Sequence, residues 1–449
     1  MRFDLPSAAR NPISLIGVAI TTAMAVVFCA LLALEIGGQL NNPYLGLLLF
    51  VAVPAVFLIG LLLILLGMWR HQRRIEAGRA SGEWPVIDLR LPRTRAVIFT
   101  VALLTSFNVL VFSLAAYGAV HHMESAKFCG TTCHTTMQPE YAAHQVSSHS
   151  RVACVSCHVG PGAEALVASK IAGTRQLWML FTDSVPAPIP APVHTMRPAR
   201  DTCESCHWSE KSHGDKLRQI REYANDEKST ETVTALQLHV GGGRVEAGTG
   251  SGIHWHMNLD NRVEYIATDA QRQVIPWVKF TGRDGRVREY TVEGTTPAML
   301  AAGEHRVMDC LDCHNRPAHT FEPVAERAVD NAIAMGQLPR TFAFARREAV
   351  AALKDEYATG DDARRGIDAR IRKAYPSHGG DAALDRMVGA VQEIYSRNVF
   401  PTMKVKWGTY PNNIGHVFFN GCFRCHDDNH KAPDGSAIKQ DCESCHAMP

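Results

Sequence analysis

A pair of cysteines followed at once by a histidine recurs six times between Cys129 and His446. Five copies share the spacing C-x-x-C-H: Cys154/Cys157/His158, Cys203/Cys206/His207, Cys310/Cys313/His314, Cys422/Cys425/His426 and Cys442/Cys445/His446. The sixth, Cys129-Gly-Thr-Thr-Cys133-His134, has three residues between its thiols. Two thiols so spaced can bond the vinyl groups of a haem while the adjacent histidine ligates its iron, which makes the pattern the signature of covalent haem attachment. Zinc knuckles and disulfide frameworks also use paired cysteines. Zinc, however, needs the following histidine only occasionally, and a disulfide never does. Six covalently bound haem c groups are expected, with Cys29 left over inside an apolar run.

Each iron has a second axial position whose occupant sets the chemistry. A second histidine gives a low-potential carrier, methionine raises the potential, and an open site permits catalysis. Outside the motifs stand His144, His149, His194, His213, His239, His254, His256, His319, His416 and His430 as available ligands. Those carried into the expected set are His149, five residues before Cys154; His416 and His430, flanking the Cys422 motif; and His213, His256 and His319. At the variant motif, Met137 follows His134 by three residues and offers a soft thioether. A plain core methionine accounts for that residue equally well. With so many histidines, most haems are expected to be six-coordinate carriers rather than reaction centres.

Such sites need a scaffold, and the chain divides into two physical objects. Long apolar runs precede residue 121, whereas twelve of the thirteen cysteines follow it. Residues 13–34, 44–69 and 96–120 each approach or exceed the ~20 residues that a helix needs to cross a bilayer. Three transmembrane helices are therefore expected, in an anchor covering residues 1–120. The first run lacks a small-residue cleavage site after it, which speaks against a cleaved signal peptide. In the loop 70–95, Arg70, Arg73, Arg74, Arg79, Arg90, Arg93 and Arg95 face only Glu76, Glu83 and Asp88, while residues 37–43 carry no charge. By the positive-inside rule that loop and the N-terminus are cytoplasmic, and everything after Val120 lies in the periplasm of a bacterial cytoplasmic membrane protein. A net charge of +2 and 46% hydrophobic residues give no reason to expect disorder or a nucleic-acid partner.

Outside the membrane, residues 121–214 hold three motifs, 306–320 the fourth and 401–449 the last two. Within 215–305, the alternating runs Arg262-Val-Glu-Tyr-Ile-Ala267, Val274-Ile-Pro-Trp-Val-Lys-Phe280 and Arg286-Val-Arg-Glu-Tyr-Thr-Val292 read as a small β-hairpin insertion. Residues 321–400 show helical periodicity broken at Gly336, Pro339, Gly360 and Pro376, which gives three or four amphipathic helices. The fold class is mainly α, with three transmembrane helices and a periplasmic multihaem domain of low regular structure. The prolines of 185–193 form a stiff connector between the second and third sites. Residues 164–181 mix Leu166, Val167, Ile171, Leu177, Trp178, Leu180 and Phe181 with Lys170 and Arg175, the pattern of an interfacial helix lying on membrane lipid. A buried soluble helix is the competing reading.

The run Phe128-Cys-Gly-Thr-Thr-Cys-His-Thr-Thr-Met137-Gln-Pro-Glu-Tyr141, then Ser147-Ser-His149, Cys154-Val-Ser-Cys157-His158 and Lys170 resembles the NapC/NirT family of quinol dehydrogenases over about residues 96–214. The whole chain is similar to larger inner-membrane relatives in metal-respiring bacteria, through Gly252-Ile-His-Trp-His-Met257, Met308-Asp-Cys-Leu-Asp-Cys-His-Asn-Arg-Pro317 and Gly421-Cys-Phe-Arg-Cys-His-Asp-Asp-Asn-His430. The resemblance implies oxidation of quinol from the quinone pool near the first haem, and onward transfer to periplasmic c-type cytochromes or reductases. Smaller members have a two-residue gap in the first motif, and they pair the helix lysine with a carboxylate some two turns later. Here that place holds Gln176 and Leu177, so Asp183 or Glu140 would have to act with Lys170. Two other classes fit the same residues: a terminal reductase with one open haem, and a carrier subunit of a larger membrane complex that has no quinol site of its own.

Overall fold

An asparagine followed by proline starts the first helix. Asn11 Oδ1 accepts the Ser14 backbone N–H at 2.8 Å, and Pro12 opens a helix, Pro12–Ile36, of 25 residues. A second helix, Val53–Glu76, ends on Arg73 and Arg74, where cations suit the carboxy-terminal dipole. Spans Pro12–Leu31 and Val53–Glu76 have mean hydropathies of 2.3 and 2.2. Twenty residues at about 1.5 Å rise each cover the roughly 30 Å hydrocarbon core, so both are long and apolar enough to cross a membrane. Val26, Leu62 and Leu65 point outward, while the touching faces are small. A Cβ on Gly17 would lie 2.7 Å from the Gly60 carbonyl oxygen, and one on Gly67 would lie 2.4 Å from Ser14 Oγ. Close backbone approach of this kind is how helices associate in lipid, where apolar burial offers no driving force.

This computed structural model describes residues 11–36, 53–78, 90–92, 95–96, 99, 111, 114–115, 117–131, 134–160, 163–193, 196–207, 214–242, 252–258 and 260–448. It consists of two units, 1–134 and 135–449. Of the third apolar run, Ala115 packs with Phe28 and Val53. Most of 96–120 lies outside the described residues, as does most of the arginine-rich loop, so two candidate membrane helices are described where three are expected.

In the second unit, four helices occupy the stretch that the sequence reads as helical: Ala325–Ala334, Ala345–Lys354, Gly360–Ala374 and Ala382–Asn398. Thr359 and Asp381 cap the last two through the N–H groups of Asp362 and Ala383, at 3.1 and 2.8 Å. Val329, Ala345, Ala349, Ile367, Ile371, Leu384, Met387 and Val391 meet in a fully buried core. Within it Arg346 grips Asp330 through two contacts, of 2.6 and 3.1 Å.

The β insertion exceeds the expected hairpin. Strands β1 (Lys216–Tyr223) and β2 (Glu231–Leu238) pair antiparallel, and later β7 (His446–Ala447) joins β2. Strands β3 (Arg262–Ala267), β4 (Trp277–Thr281), β5 (Val287–Thr291) and β6 (Glu304–Val307) form a second sheet, in the order β5-β4-β3-β6. The alternating runs of the sequence fall on β3, β4 and β5. The β1–β2 hairpin escapes pattern reading because β1 is mostly exposed and polar and apolar residues in β2 fall on both faces, so no apolar alternation marks it. The fold is mainly helical, with two small sheets.

Candidate functional site

The fourth motif shows how local sequence builds a site. Cys310–Cys313 is one helical turn closed by a capping box, in which Asp309 accepts from Leu311 N–H at 2.8 Å and Asp312 accepts from Asp309 N–H at 2.7 Å. Asp312 is buried, and it also accepts from Tyr265 Oη of β3 at 2.5 Å and from Arg306 Nε of β6 at 3.2 Å. The sheet thus holds the motif through the residue between its cysteines. Burial, and then the Asp312 charge, push the Tyr265 phenol up, which keeps it a donor.

Neighbouring motifs meet in chain order. Cys203 and Cys310 thiols are in hydrogen-bond contact, and Cys157 is near enough to raise Cys203 further. In the fifth motif, Arg424 is buried and donates to the Asp312 carbonyl at 2.6 Å and to the Arg272 carbonyl at 2.9 Å. Burial pushes the thiols of Cys313 and Cys425 up to about 12. Cys157, Cys203, Cys206, Cys310, Cys313, Cys422, Cys425, Cys442 and Cys445 form no disulfide. Among the described residues no group of three or more His, Cys, Asp or Glu side chains could hold a metal ion, as a zinc knuckle would require.

Five motif histidines each face a second histidine. Ring centres are 6.2 Å apart for His158 and His319, 6.0 Å for His207 and His149, 6.3 Å for His314 and His254, 5.9 Å for His426 and His256, and 6.2 Å for His446 and His416. A histidine nitrogen ligates a first-row metal at about 2 Å, with the ring centre roughly 1 Å behind it, so two rings on opposite faces of one iron stand roughly 6 Å apart. The donor set therefore fits haem iron at all five sites. Tautomers fit as well. The Nδ1 atoms of His149, His319, His256 and His426 face the carbonyls of Pro317, Glu140, Ile253 and Lys439 at 3.1, 2.9, 2.9 and 3.0 Å. A carbonyl only accepts, so Nδ1 carries the proton and Nε2 is left with its lone pair for a metal. Burial lowers the pKa of His158, His254, His256, His314 and His319, favouring the neutral, ligating form.

Some expected residues fall elsewhere. His430 is fully buried, with Nδ1 at 2.8 Å from Asp427 Oδ1 and Nε2 at 2.7 Å from the Ile275 carbonyl. Both nitrogens face protein acceptors, so His430 does not stand opposite a motif histidine as the other five do. His254, outside the expected set, stands opposite His314; the His-x-His spacing after Gly252 was the available signal. His144 lies 6.1 Å from His319, but its Nε2 is bonded to the Val152 carbonyl at 3.0 Å. His194 and His213 lie outside the described residues, as do Cys133 and the side chain of His134. Cys129 sits in a short helix, Ala126–Thr131, and Met137 is half-buried in the helix His134–Gln145.

The acid–base candidates separate too. Lys170, Ile171, Trp178 and Phe181 are exposed on the helix Ala163–Phe181. From Lys170 to Phe181 the helix rises about 16 Å, and Asp183 lies two residues past its end, so Asp183 cannot share a hydroxyl with Lys170. Arg316 Nη2 donates to both Glu140 oxygens, at 2.9 and 2.7 Å, so Glu140 is an ion-pair anchor rather than a free proton acceptor.

The NapC/NirT cytochrome c family, N-terminal region, matches residues 91–241. The cytochrome c-type protein ImcH of Geobacter sulfurreducens is 40% identical over 448 residues, covering 98% of this chain and 88% of that protein. No solved structure matches. With a family match across the first motifs and a relative similar along nearly the full length, this membrane-anchored cytochrome c belongs to the NapC/NirT cytochrome c family.

Proposed function

We propose that the chain is a hexahaem carrier that oxidises quinol at the outer face of the bacterial cytoplasmic membrane and passes the electrons to periplasmic c-type cytochromes or reductases. Five motif histidines, each opposed by a second histidine at 5.9 to 6.3 Å, are the observation that carries the reading. Bound haem supplies one-electron steps at low potential when two histidines ligate it. His319, His149, His254, His256 and His416 would supply the second histidine to haem at the second to sixth sites, and Met137 is the candidate at the first. Cys203 of the third motif meets Cys310 of the fourth and feels Cys157 of the second, which supports a relay in chain order. A third membrane helix in residues 96–120 and a periplasmic haem domain complete the topology.

Lys170 is the polar group that orients the quinol hydroxyl, on a helix whose exposed Ile171, Trp178 and Phe181 suit a lipid surface. A second reading, a carrier subunit without its own quinol site, draws support from the engagement of Glu140 by Arg316 and the distance of Asp183 from Lys170. Anaerobic stopped-flow mixing of the detergent-purified protein with a menaquinol analogue, together with a pyridine haemochrome count, separates the two. Fast, inhibitor-sensitive reduction of six haems is the expected result. Reduction by dithionite alone would favour the carrier subunit.

A further inference from the structure

The turn Ile253–Met257 is a 3₁₀ helix in which two histidines stand two residues apart. At three residues per turn, side chains at i and i+2 diverge by roughly 120°, so they cannot address one iron together. They point instead to different motifs. His254 stacks 13° from parallel with His314 at 6.3 Å, and His256 stands 85° to His426 at 5.9 Å. We infer that this single turn supplies the distal ligands of both the fourth and the fifth haem, clipping the two irons at a fixed separation where the central sites join the carboxy-terminal pair.

The turn is built to hold that position. Trp255, between the two histidines, packs on Phe280 of β4 at 5.1 Å, and its carbonyl accepts from Asn261 Nδ2 at 2.9 Å. The N–H groups of Ile253 and His254 donate to the carbonyls of His239 and Val240 at 2.8 and 3.0 Å. Gly252 has φ of 74°, and a Cβ there would lie 2.4 Å from the His239 carbonyl oxygen, so only glycine admits this entry. The two motifs that the clip serves are also joined directly, by Arg424 of the fifth to the Asp312 carbonyl of the fourth.

The inference rests on covalent haem at those two motifs and needs no quinol site. Full-length His254→Met and His256→Met chains, purified in detergent, are read by low-temperature EPR, near-infrared magnetic circular dichroism and redox titration. Each is expected to keep the full haem count, to convert one bis-histidine signal to histidine–methionine, and to raise one midpoint potential, a different one in each chain. In His254→Gly and His256→Gly chains, added imidazole restores the bis-nitrogen signal of one haem each, again a different one. Conversion of the same haem by both substitutions, or of none, overturns the clip. Loss of quinol reduction in the unsubstituted protein, with all these signals intact, removes the quinol reading and leaves the clip standing.

Discussion

Glu140 and Arg316 stand 176 residues apart in sequence and meet in a forked ion pair of 2.7 and 2.9 Å. Arg316 lies 4.0 Å over the Tyr410 ring and donates Nε to the His319 carbonyl at 2.8 Å, while the Glu140 carbonyl receives His319 Nδ1. The pair therefore sets the ring opposite His158. The same segment, Asn315 to His319, also supplies the Pro317 carbonyl that orients His149. One short stretch after the fourth motif thus serves the second and third sites.

Glu140→Ala leaves the Arg316 charge enclosed without a partner. A loss of about 3–5 kcal/mol is expected, as for breaking other buried pairs, and thermal denaturation followed by circular dichroism reads it. The low-spin EPR signal of one haem should broaden, because His319 loses its anchor. An unchanged signal would mean that His319 is held by other contacts.

On the proposed role of Lys170 in orienting the quinol hydroxyl, Lys170→Gln should lower quinol turnover about tenfold or more while dithionite still reduces every haem. Stopped-flow absorbance of the variant beside the parent decides this. Equal turnover would take Lys170 out of the mechanism.

His430→Gln should leave all haem signals as they were, since neither ring nitrogen faces a motif histidine. Its stability should fall by about 1–3 kcal/mol, because the carboxylate of Asp427 and the carbonyl of Ile275 lose a buried partner. Redox titration and a melting curve on one preparation test both halves. A missing bis-histidine signal would return His430 to the ligand set.

Asp330→Ala strands Arg346 inside the four-helix core. Arg346 also donates to Asn225 Oδ1 at 2.7 Å, so the β1–β2 hairpin loosens with the helices. A loss of about 3–5 kcal/mol is expected, with the haem count by pyridine haemochrome unchanged. Loss of haem together with the helices would show that the helical part is needed for maturation.

Covalent and local relations were open to reading along the chain. Motif spacing marks where thiols and proximal histidines must lie, because both act within one turn of backbone. Apolar length marks the membrane helices, and periodicity marks the helices of 325–398, because each obeys a rule of a few residues. The β1–β2 hairpin broke that kind of rule, with polar residues on both faces and no alternation to detect.

The distal ligands belong to another class. His319 stands opposite His158 from beyond the fourth motif, and His256 stands opposite His426 from far upstream, so chain proximity favoured His430 and passed over His254. Glu140 and Asp183 were drawn to Lys170 by nearness in sequence, yet one is consumed by Arg316 and the other lies beyond the far end of a rigid helix. The residues themselves determined that haem c is covalently bound and where each cysteine–histidine motif stands. Folding alone decided which second histidine meets each of them, since axial pairing depends on distances across the molecule, and those are created by packing.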